Sequence, residues 1–516
     1  MDERKIAEQF GLAIVEELNS FALVKGRVSI VPYLFAKQRR LLPIEQSDQG
    51  VTVAVADPLD IGALEELRLL LKKQINPIYC PQAVLESAIE RCYHQKDEET
   101  KQLFTDVANG PVVEERESIE GYDLLERADQ NPVIRMVNAI LVEAIQQGAS
   151  DVHFEPTEEG LSIRYRIDGC LQKRHVPPRA IQIQMLTRIK VMSKMDIAEH
   201  RLPQDGRIKL RHGGREIDFR VSTLPTVHGE RIVLRILDKG NVLLGLDRIG
   251  MGKDALKSFR KLIHMPEGIV LVTGPTGSGK TTTLYSAIGE INDSETNIIT
   301  IEDPVEYKIA GISQMNVNAR IELDFAKGLR HILRQDPDVI MIGEIRDRET
   351  AEIAIQASLT GHLVLSTLHT NDAPSALTRL ADMGIEPYLL ASSILGVVAQ
   401  RLVRRICPFC KIDYIPSEKE LIELGVRAKG PFYRGKGCPL CFETGYKGRH
   451  ALYELMPVTA AIKSQVLKSQ DAQELRRVAL AEKMKTLFEQ GVELVSEGIT
   501  TSAELFRVTR IDQGVL

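Results

Sequence analysis

Residues 268–283, GIVLVTGPTGSGKTTT, leave the chain around them little choice of fold. Ile269, Val270, Leu271 and Val272 form a continuous apolar run rich in β-branched residues, the pattern of a strand buried inside a parallel sheet. Gly274, Pro275, Thr276, Gly277, Ser278, Gly279, Lys280 and Thr281 then fill G-x-x-x-x-G-K-[ST] without a mismatch. Glycines there let backbone N–H groups turn inward around a polyphosphate, since no Cβ blocks the approach or the positive φ angles required. Lys280 is spaced to reach the β- and γ-phosphates, and the Thr281 hydroxyl to ligate Mg²⁺. With Thr282, they open a helix whose positive end points at the anion. A strand–loop–helix unit binding ATP and Mg²⁺ is the expectation.

The rest of the chain has to accommodate that unit. At 516 residues it is too long for one core, so two to four domains are expected. Apolar content of 43% and charged content of 27% are ordinary for a soluble protein. A net charge of −5, with 5% aromatic residues and no Trp, argues against direct nucleic-acid binding. No apolar run approaches the roughly 18 residues needed to cross a bilayer. The most apolar candidate, residues 391–403, contains Gln400 and Arg401. The opening MDERKIAEQF has no apolar signal core, so a cytosolic protein is expected, meeting membrane only through partners.

Taken in order, residues 1–94 read as a small α/β module. Val51, Val53 and Val55 alternate as a strand, Asp57-Pro58 breaks it, and Leu64, Leu67, Leu70 and Leu71 recur at helical spacing. Ile75–Tyr79 suggests another strand, before a helix through Val84, Leu85 and Ile89. Composition does not choose between a docking module and a structural cap. Residues 95–118 are polar, charged and broken by Asn109-Gly110-Pro111, which predicts a flexible linker, with a solvated helix as the alternative.

Residues 119–247 form a second N-terminal domain. Asn131-Pro132 opens a helix that Gly148 stops. Leu161, Ile163, Tyr165 and Ile167 alternate up to the hairpin turn Asp168-Gly169. Ile208 and Leu210 lead to Gly213-Gly214, and Ile217, Phe219 and Val221 return. The opposite faces carry Arg164, Arg166, Arg207, Arg211 and Arg220, with Arg231 and Arg235 beyond. These arginines are either a solvated strand face or a set that meets phosphates or a neighbouring subunit.

Residues 248–516 carry the nucleotide chemistry. Three more buried strands are predicted: residues 298–301 ending at Glu302, residues 339–342 ending at Gly343-Glu344, and residues 363–365 flanked by His362 and His369. Ligands of open parallel sheets bind beyond the carboxyl ends of the strands, so Glu302, Glu344 and His369 should converge on the phosphates. A usual Walker B strand ends in a metal-binding Asp, whereas here Gly343 intervenes; Glu344 is long enough to act on Mg²⁺ through water. Glu302 or Glu306 is then the candidate for orienting the attacking water. His362 and His369 are candidate γ-phosphate sensors or structural histidines.

Of seven cysteines, Cys407, Cys410, Cys438 and Cys441 form two C-x-x-C pairs separated by 27 residues. Such paired knuckles suit a closed structural Zn²⁺ site, with a redox pair or unmetallated thiols as alternatives. Cys80, Cys92 and Cys170 should be reduced thiols. Residues 460–516 have a helical pattern, and Thr501 with Glu504 predicts a capping box.

With these motifs in sequence, the chain resembles the secretion traffic ATPases, in particular the general secretion pathway protein E family of type II secretion, close to the type IV pilus assembly ATPases. The resemblance rests on GPTGSGKTTT, the Asp box ITIEDPVEY, the strand VIMIGEIRD, the His box GHLVLSTLHTNDA, the segments RLPQDGRI and RVSTLPTVHGERIVLRILD, the tetracysteine insert and the ending TSAELFRVT. It implies a small α/β docking domain, a PAS-like α/β second N-terminal domain, and a RecA-like P-loop ATPase domain with a zinc-binding insert at residues 403–448. It also implies a homohexamer with nucleotide between the last two domains, peripheral on the cytoplasmic face of the inner membrane. By the same resemblance Glu302 polarises water, Glu344 serves the metal side, and Arg220 and Arg235 approach the γ-phosphate. Arg330, Arg334, Arg346 and Arg449 lie near the site or a subunit contact. Gly343 fits the family's pattern. The first domain docks on an inner-membrane platform protein, and the zinc insert is a partner-facing protrusion. The implied work is ATP hydrolysis that powers pseudopilus assembly and protein export, or, alternatively, pilus extension. A nucleic-acid translocase, which also joins a RecA-like domain to a zinc ribbon, is the less favoured reading given the charge and the scarcity of aromatic residues.

Overall fold

Two compact units divide the chain after Asp238. The computed structural model describes residues 39–94 except 48, 49 and 72, isolated positions before them, Tyr122–Asp123, residues 132–238 except 213 and 214, and residues 245–509 except 427–430. The linker expected at 95–118, the Asn131 cap and the Gly213-Gly214 turn lie outside the described residues.

In the first module, β1 (Leu41–Ser47) and β2 (Gly50–Val55) are antiparallel, and β3 (Ile75–Tyr79) pairs parallel to β2. Helices α1 (Ile61–Leu71) and α2 (Gln82–His94) complete it, with Leu67, Leu85 and Ile89 buried against the sheet. β1 was not legible because Pro43 interrupts its pattern; the register shifts there, where a missing N–H donor is tolerated. Cys80 is buried, which pushes its thiol up to about 11.

The second domain is a seven-stranded sheet with α3 (Pro132–Gln146) and α4 (Arg179–Met192) contributing to one apolar core. Beyond β4 (Tyr122–Asp123), its strands are β5 (Ala149–Thr157), β6 (Gly160–Ile167), β7 (Cys170–His175), β8 (Gln204–His212), β9 (Arg215–Thr226) and β10 (Gly229–Asp238). Val133, Met136, Val137, Ile140 and Leu141, the apolar stripe of α3, are all buried. The Asp168-Gly169 turn joins β6 to β7 as predicted, with Ile167 paired to Cys170.

The second unit is built on a seven-stranded sheet. In spatial order its strands are β13 (Ser313–Asn316), β12 (Ile298–Glu302), β14 (Val339–Ile342), β15 (Leu363–Leu368), β11 (Gly268–Thr273), β16 (Ile394–Ile406) and β19 (Tyr446–Pro457). All neighbours are parallel except β16 and β19. β11, β12, β14 and β15 are buried at every residue, as continuous apolar runs in a covered parallel sheet should be. Within this sheet β15 separates β11 from β14, so the polar residues that follow all three strands share one edge.

Candidate functional site

The phosphate loop runs from β11 into α6 (Lys280–Ile291). Gly279 caps α6 at φ +90°, a left-handed conformation that L side chains rarely adopt, and no side chain bonds the first helical N–H groups. Gly274 has φ +148°, and a Cβ there would lie 2.4 Å from the Gln400 carbonyl and 2.7 Å from Ser278 Oγ. Ser278 Oγ is itself buried without a hydrogen-bond partner among the described residues. An uncapped helix start, an orphaned hydroxyl and a loop drawn this close are what a polyphosphate requires, so these residues fit ATP.

Lys280 lies folded over its own loop, Nζ donating to the carbonyls of Gly274 at 2.7 Å and Pro275 at 3.2 Å. Burial, opposed by nearby Glu344 and reinforced by Arg401, lowers its pKa to about 8. A phosphate would supply the negative charge that this ammonium lacks. Thr281 and Thr282 occupy the exposed first turn of the helix.

Glu344 follows β14. Its carboxylate accepts from Arg346 and meets His369 Nε2 at 3.1 Å, and Arg346 reaches on to Asp303 at 3.8 Å. Burial favours the neutral acid, but Arg346 and His369 outweigh it and hold Glu344 below the ordinary carboxylate range. Glu344, His369 and Asp303 thus share one polar cluster, and Glu344 is close enough to Lys280 to act on its charge. Gly343 donates its N–H to the Ile301 carbonyl at 2.8 Å, and a Cβ there would sit 3.4 Å from Glu302 Cα.

Glu302 does not join that cluster. It is 3% exposed at the end of β12, held by the Tyr285 hydroxyl, by Thr300 Oγ1 at 2.7 Å and by Gln314 Nε2 at 3.2 Å. His362 is not a phosphate sensor in this geometry. It precedes β15, its carbonyl accepts from Gly268 at the amino end of β11, and its Nδ1 meets the Ala357 carbonyl at 2.8 Å, all at the edge away from the loop. Arg330 pairs with Glu349, and Arg334 donates to the Arg330 carbonyl at 2.8 Å.

Arg220 and Arg235 belong to the first unit. The strand registers set Arg207, Arg220, Arg235, Asp151 and Arg166 in one row across β8, β9, β10, β5 and β6. Like charges directly opposite repel, and buried Asp151 relieves part of this, lying 3.1 Å from Arg235 and 3.7 Å from Arg166. The row remains strongly cationic, a strip suited to phosphate oxygens.

β16 and β19 pair from Gly396–Pro457 to Ile406–Tyr446, and the residues between their tips carry all four candidate cysteines. The four Sγ atoms lie within 4.8 Å of one another, with Cys407–Cys438 at 3.9 Å, Cys410–Cys441 at 3.8 Å and Cys438–Cys441 at 3.6 Å. A tetrahedral Zn²⁺ with bonds of about 2.3 Å needs sulfurs about 3.8 Å apart, so the cluster fits that ion. Burial pushes the Cys407 thiol up to about 12. For Cys441 burial acts in the same direction, but N–H donors from Cys438 and Gly445 hold it below its usual value.

The excursion carrying the cysteines is braced on its own unit rather than standing free. Lys411 Nζ donates to the Gly498 carbonyl at 2.7 Å, Tyr446 and Thr501 hydroxyls meet at 2.7 Å, and Leu424 and Phe432 enter the main core. Thr501 caps α15 (Ser502–Val508) as expected, but Glu504 does not close the box. Its carboxylate turns to Arg404 at 2.8 Å and Arg507 at 2.6 Å instead. A complete box forms at Thr486 and Glu489.

Sequence reasoning did not assign roles to Tyr285, Gln314, Gln400 or Arg401. Gln400 backs the loop and its Oε1 accepts from Thr283 at 2.8 Å. Arg401 donates to Asn371 at 2.7 Å. The signal for these two was present, since a Gln-Arg pair interrupting a buried apolar strand needs polar partners.

Residues 126–507 match the family described as Type II/IV secretion system protein, and residues 10–99 match the MshEN domain. The chain is 46% identical over 488 residues to the type II secretion system ATPase E of Vibrio cholerae serotype O1, covering 93% of this chain and 96% of that protein. It is 42% identical over 518 residues to the type IV pilus assembly ATPase PilB of Myxococcus xanthus, covering 98% and 91%. Among solved structures, the ATPase DotB of Yersinia pseudotuberculosis shares the fold, with a TM-score of 0.55 and 22% identity over 77% of this chain and 100% of that one. Among the described residues no helix is long and apolar enough to cross a membrane.

Proposed function

The chain belongs to the type II/IV secretion system protein family of secretion ATPases, and from that premise we propose that it is the motor of a type II secretion system. It is a homohexamer that hydrolyses Mg·ATP to ADP and phosphate and uses the movement to drive pseudopilus assembly and protein export. The observation that carries this reading is the phosphate cradle, with Lys280, the uncapped start of α6 and the Glu344–His369 pair on one sheet edge.

Lys280 exchanges the Gly274 and Pro275 carbonyls for the β- and γ-phosphates, while the amides of Gly277, Ser278, Gly279 and Thr281 surround them. Thr281 and Glu344, the latter through water, hold Mg²⁺, which when bound neutralises charge on the phosphate oxygens. Thr282 lines the cradle and His369 keeps Glu344 oriented. Glu302 polarises the attacking water. Cys407, Cys410, Cys438 and Cys441 hold a structural Zn²⁺ that fixes the excursion. The first module docks on an inner-membrane platform protein and so brings the enzyme to the cytoplasmic face of that membrane.

Likeness to a pilus assembly ATPase along nearly the whole chain favours pilus extension as the second reading. Deleting the gene in its own host separates the two. Secretion requires that protein export is lost while surface pili persist; lost pili with intact export assigns the chain to pilus assembly.

A further inference from the structure

Glu302 is a buried carboxylate whose charge is met, among the described residues, by neutral donors alone. Thr300 and Gln314 serve Oε1, and the Tyr285 hydroxyl serves Oε2. Neutral donors can hold a buried carboxylate only if their geometry is fixed, and losing the Tyr285 hydroxyl leaves Oε2 without a donor among the described residues. Tyr285 is itself fixed: it is 2% exposed, its ring packs edge-on against Tyr307 with centroids 5.9 Å apart, and its oxygen accepts the Glu306 N–H at 3.3 Å. It stands five residues after Lys280 on the same helix, about 7 Å further along the axis. One rigid element therefore carries both the phosphate-binding ammonium and the donor that orients the acid on a neighbouring strand.

We propose that Tyr285 is a positioning residue for Glu302, tying the helix behind the phosphate loop to the carboxylate that polarises water. A tyrosine kept only for packing would be replaceable by phenylalanine, since the ring supplies all the apolar contact. A positioning tyrosine is not, because the hydroxyl is what fixes Oε2. The inference rests on the assignment of Glu302 made above.

The test is Tyr285→Phe in the full-length, metal-loaded protein, alone and combined with Glu302→Gln. The expected result is a kcat reduced about tenfold, with KM for ATP and the melting temperature nearly unchanged. The double variant should be no slower than Glu302→Gln alone, since both act through one carboxylate. Thr300→Val, which removes one of the two donors to the other oxygen at nearly constant volume, should give a smaller kcat-only loss and serves if Tyr285→Phe folds poorly. A kcat at or above wild type in both donor variants, or losses that multiply in the double variant, would overturn the inference. Failure of the underlying reading looks different: wild type releases no phosphate, or Glu302→Gln turns over like wild type.

Discussion

Strand β16 backs the phosphate loop along its length and carries the four-cysteine excursion past its end, and the two sites hold their polar atoms in opposite ways. Near the middle of β16, Gln400 backs the loop, and nearly every charged group nearby already has a protein partner: Lys280 its carbonyls, Glu344 its Arg346 and His369, Glu302 its three neutral donors. Past the end of β16, four thiols crowd within 4.8 Å, and among the described residues some have only each other as side-chain partners. On the proposed function, the first site is preorganised and exchanges partners for substrate. The second would be a folding element completed by an ion, whose binding energy becomes folding energy. Loss of the loop should therefore cost rate, and loss of the cysteines should cost stability.

The strongest attempt to break that contrast is Lys280→Ala. Hydrolysis should fall by at least about 100-fold, while the metal content of the purified protein stays the same. Loss of metal in that variant would show the two sites are one cooperative element. Next comes Cys438→Ser with Cys441→Ser. We expect one Zn²⁺ per chain in wild type, none in the variant, and a loss of several kcal/mol in denaturant unfolding, with nucleotide affinity retained.

A smaller effect sharpens the stability side. Glu504 braces the outer part of β16 through Arg404, so Glu504→Gln should cost about 3 kcal/mol by leaving buried charge unpaired. Although burial favours the neutral acid, Arg507 and Arg404 hold the carboxyl down at about 2, against a usual 4.5. Its folded pKa is below its unfolded one, so its contribution is full above pH 4.5 and fades as pH falls toward 2. Acid unfolding curves of wild type and variant should converge in that window. The smallest expected effect belongs to the loop. Because burial lowers Lys280 to about 8, a bound triphosphate favours its charged form, and ATP affinity should weaken by up to about tenfold per pH unit above 8. A flat titration from pH 7 to about 9.5 would mean that Lys280 does not meet the phosphates.

Much of the second unit was legible because its chemistry is local in sequence. β11, β12, β14 and β15 are each a buried apolar run, and each motif follows its strand directly. What escaped depends on which strands become neighbours. Tyr285 reaches Glu302 from a helix that the sequence does not place beside β12, and Gln400 reaches the loop through the parallel pairing of β16 with β11. In the sequence, Gln400 and Arg401 stand only as interruptions of an apolar run. His362 and His369 look equivalent in sequence, but they sit at opposite ends of a six-residue strand, and only the carboxyl end faces the loop. The capping box failed for a similar reason: Glu504 has the right spacing, but a distant arginine competes successfully for its carboxylate.

The most direct measurement is phosphate release from Mg·ATP by the purified, metal-loaded full chain and its Lys280→Ala and Glu302→Gln variants, with nucleotide binding followed in parallel. The account predicts rapid release by wild type and release slowed by at least about 100-fold in both variants, with Glu302→Gln still binding ATP and Lys280→Ala binding it poorly. Equal release by all three, or no release by wild type even with its membrane platform partner present, would contradict it.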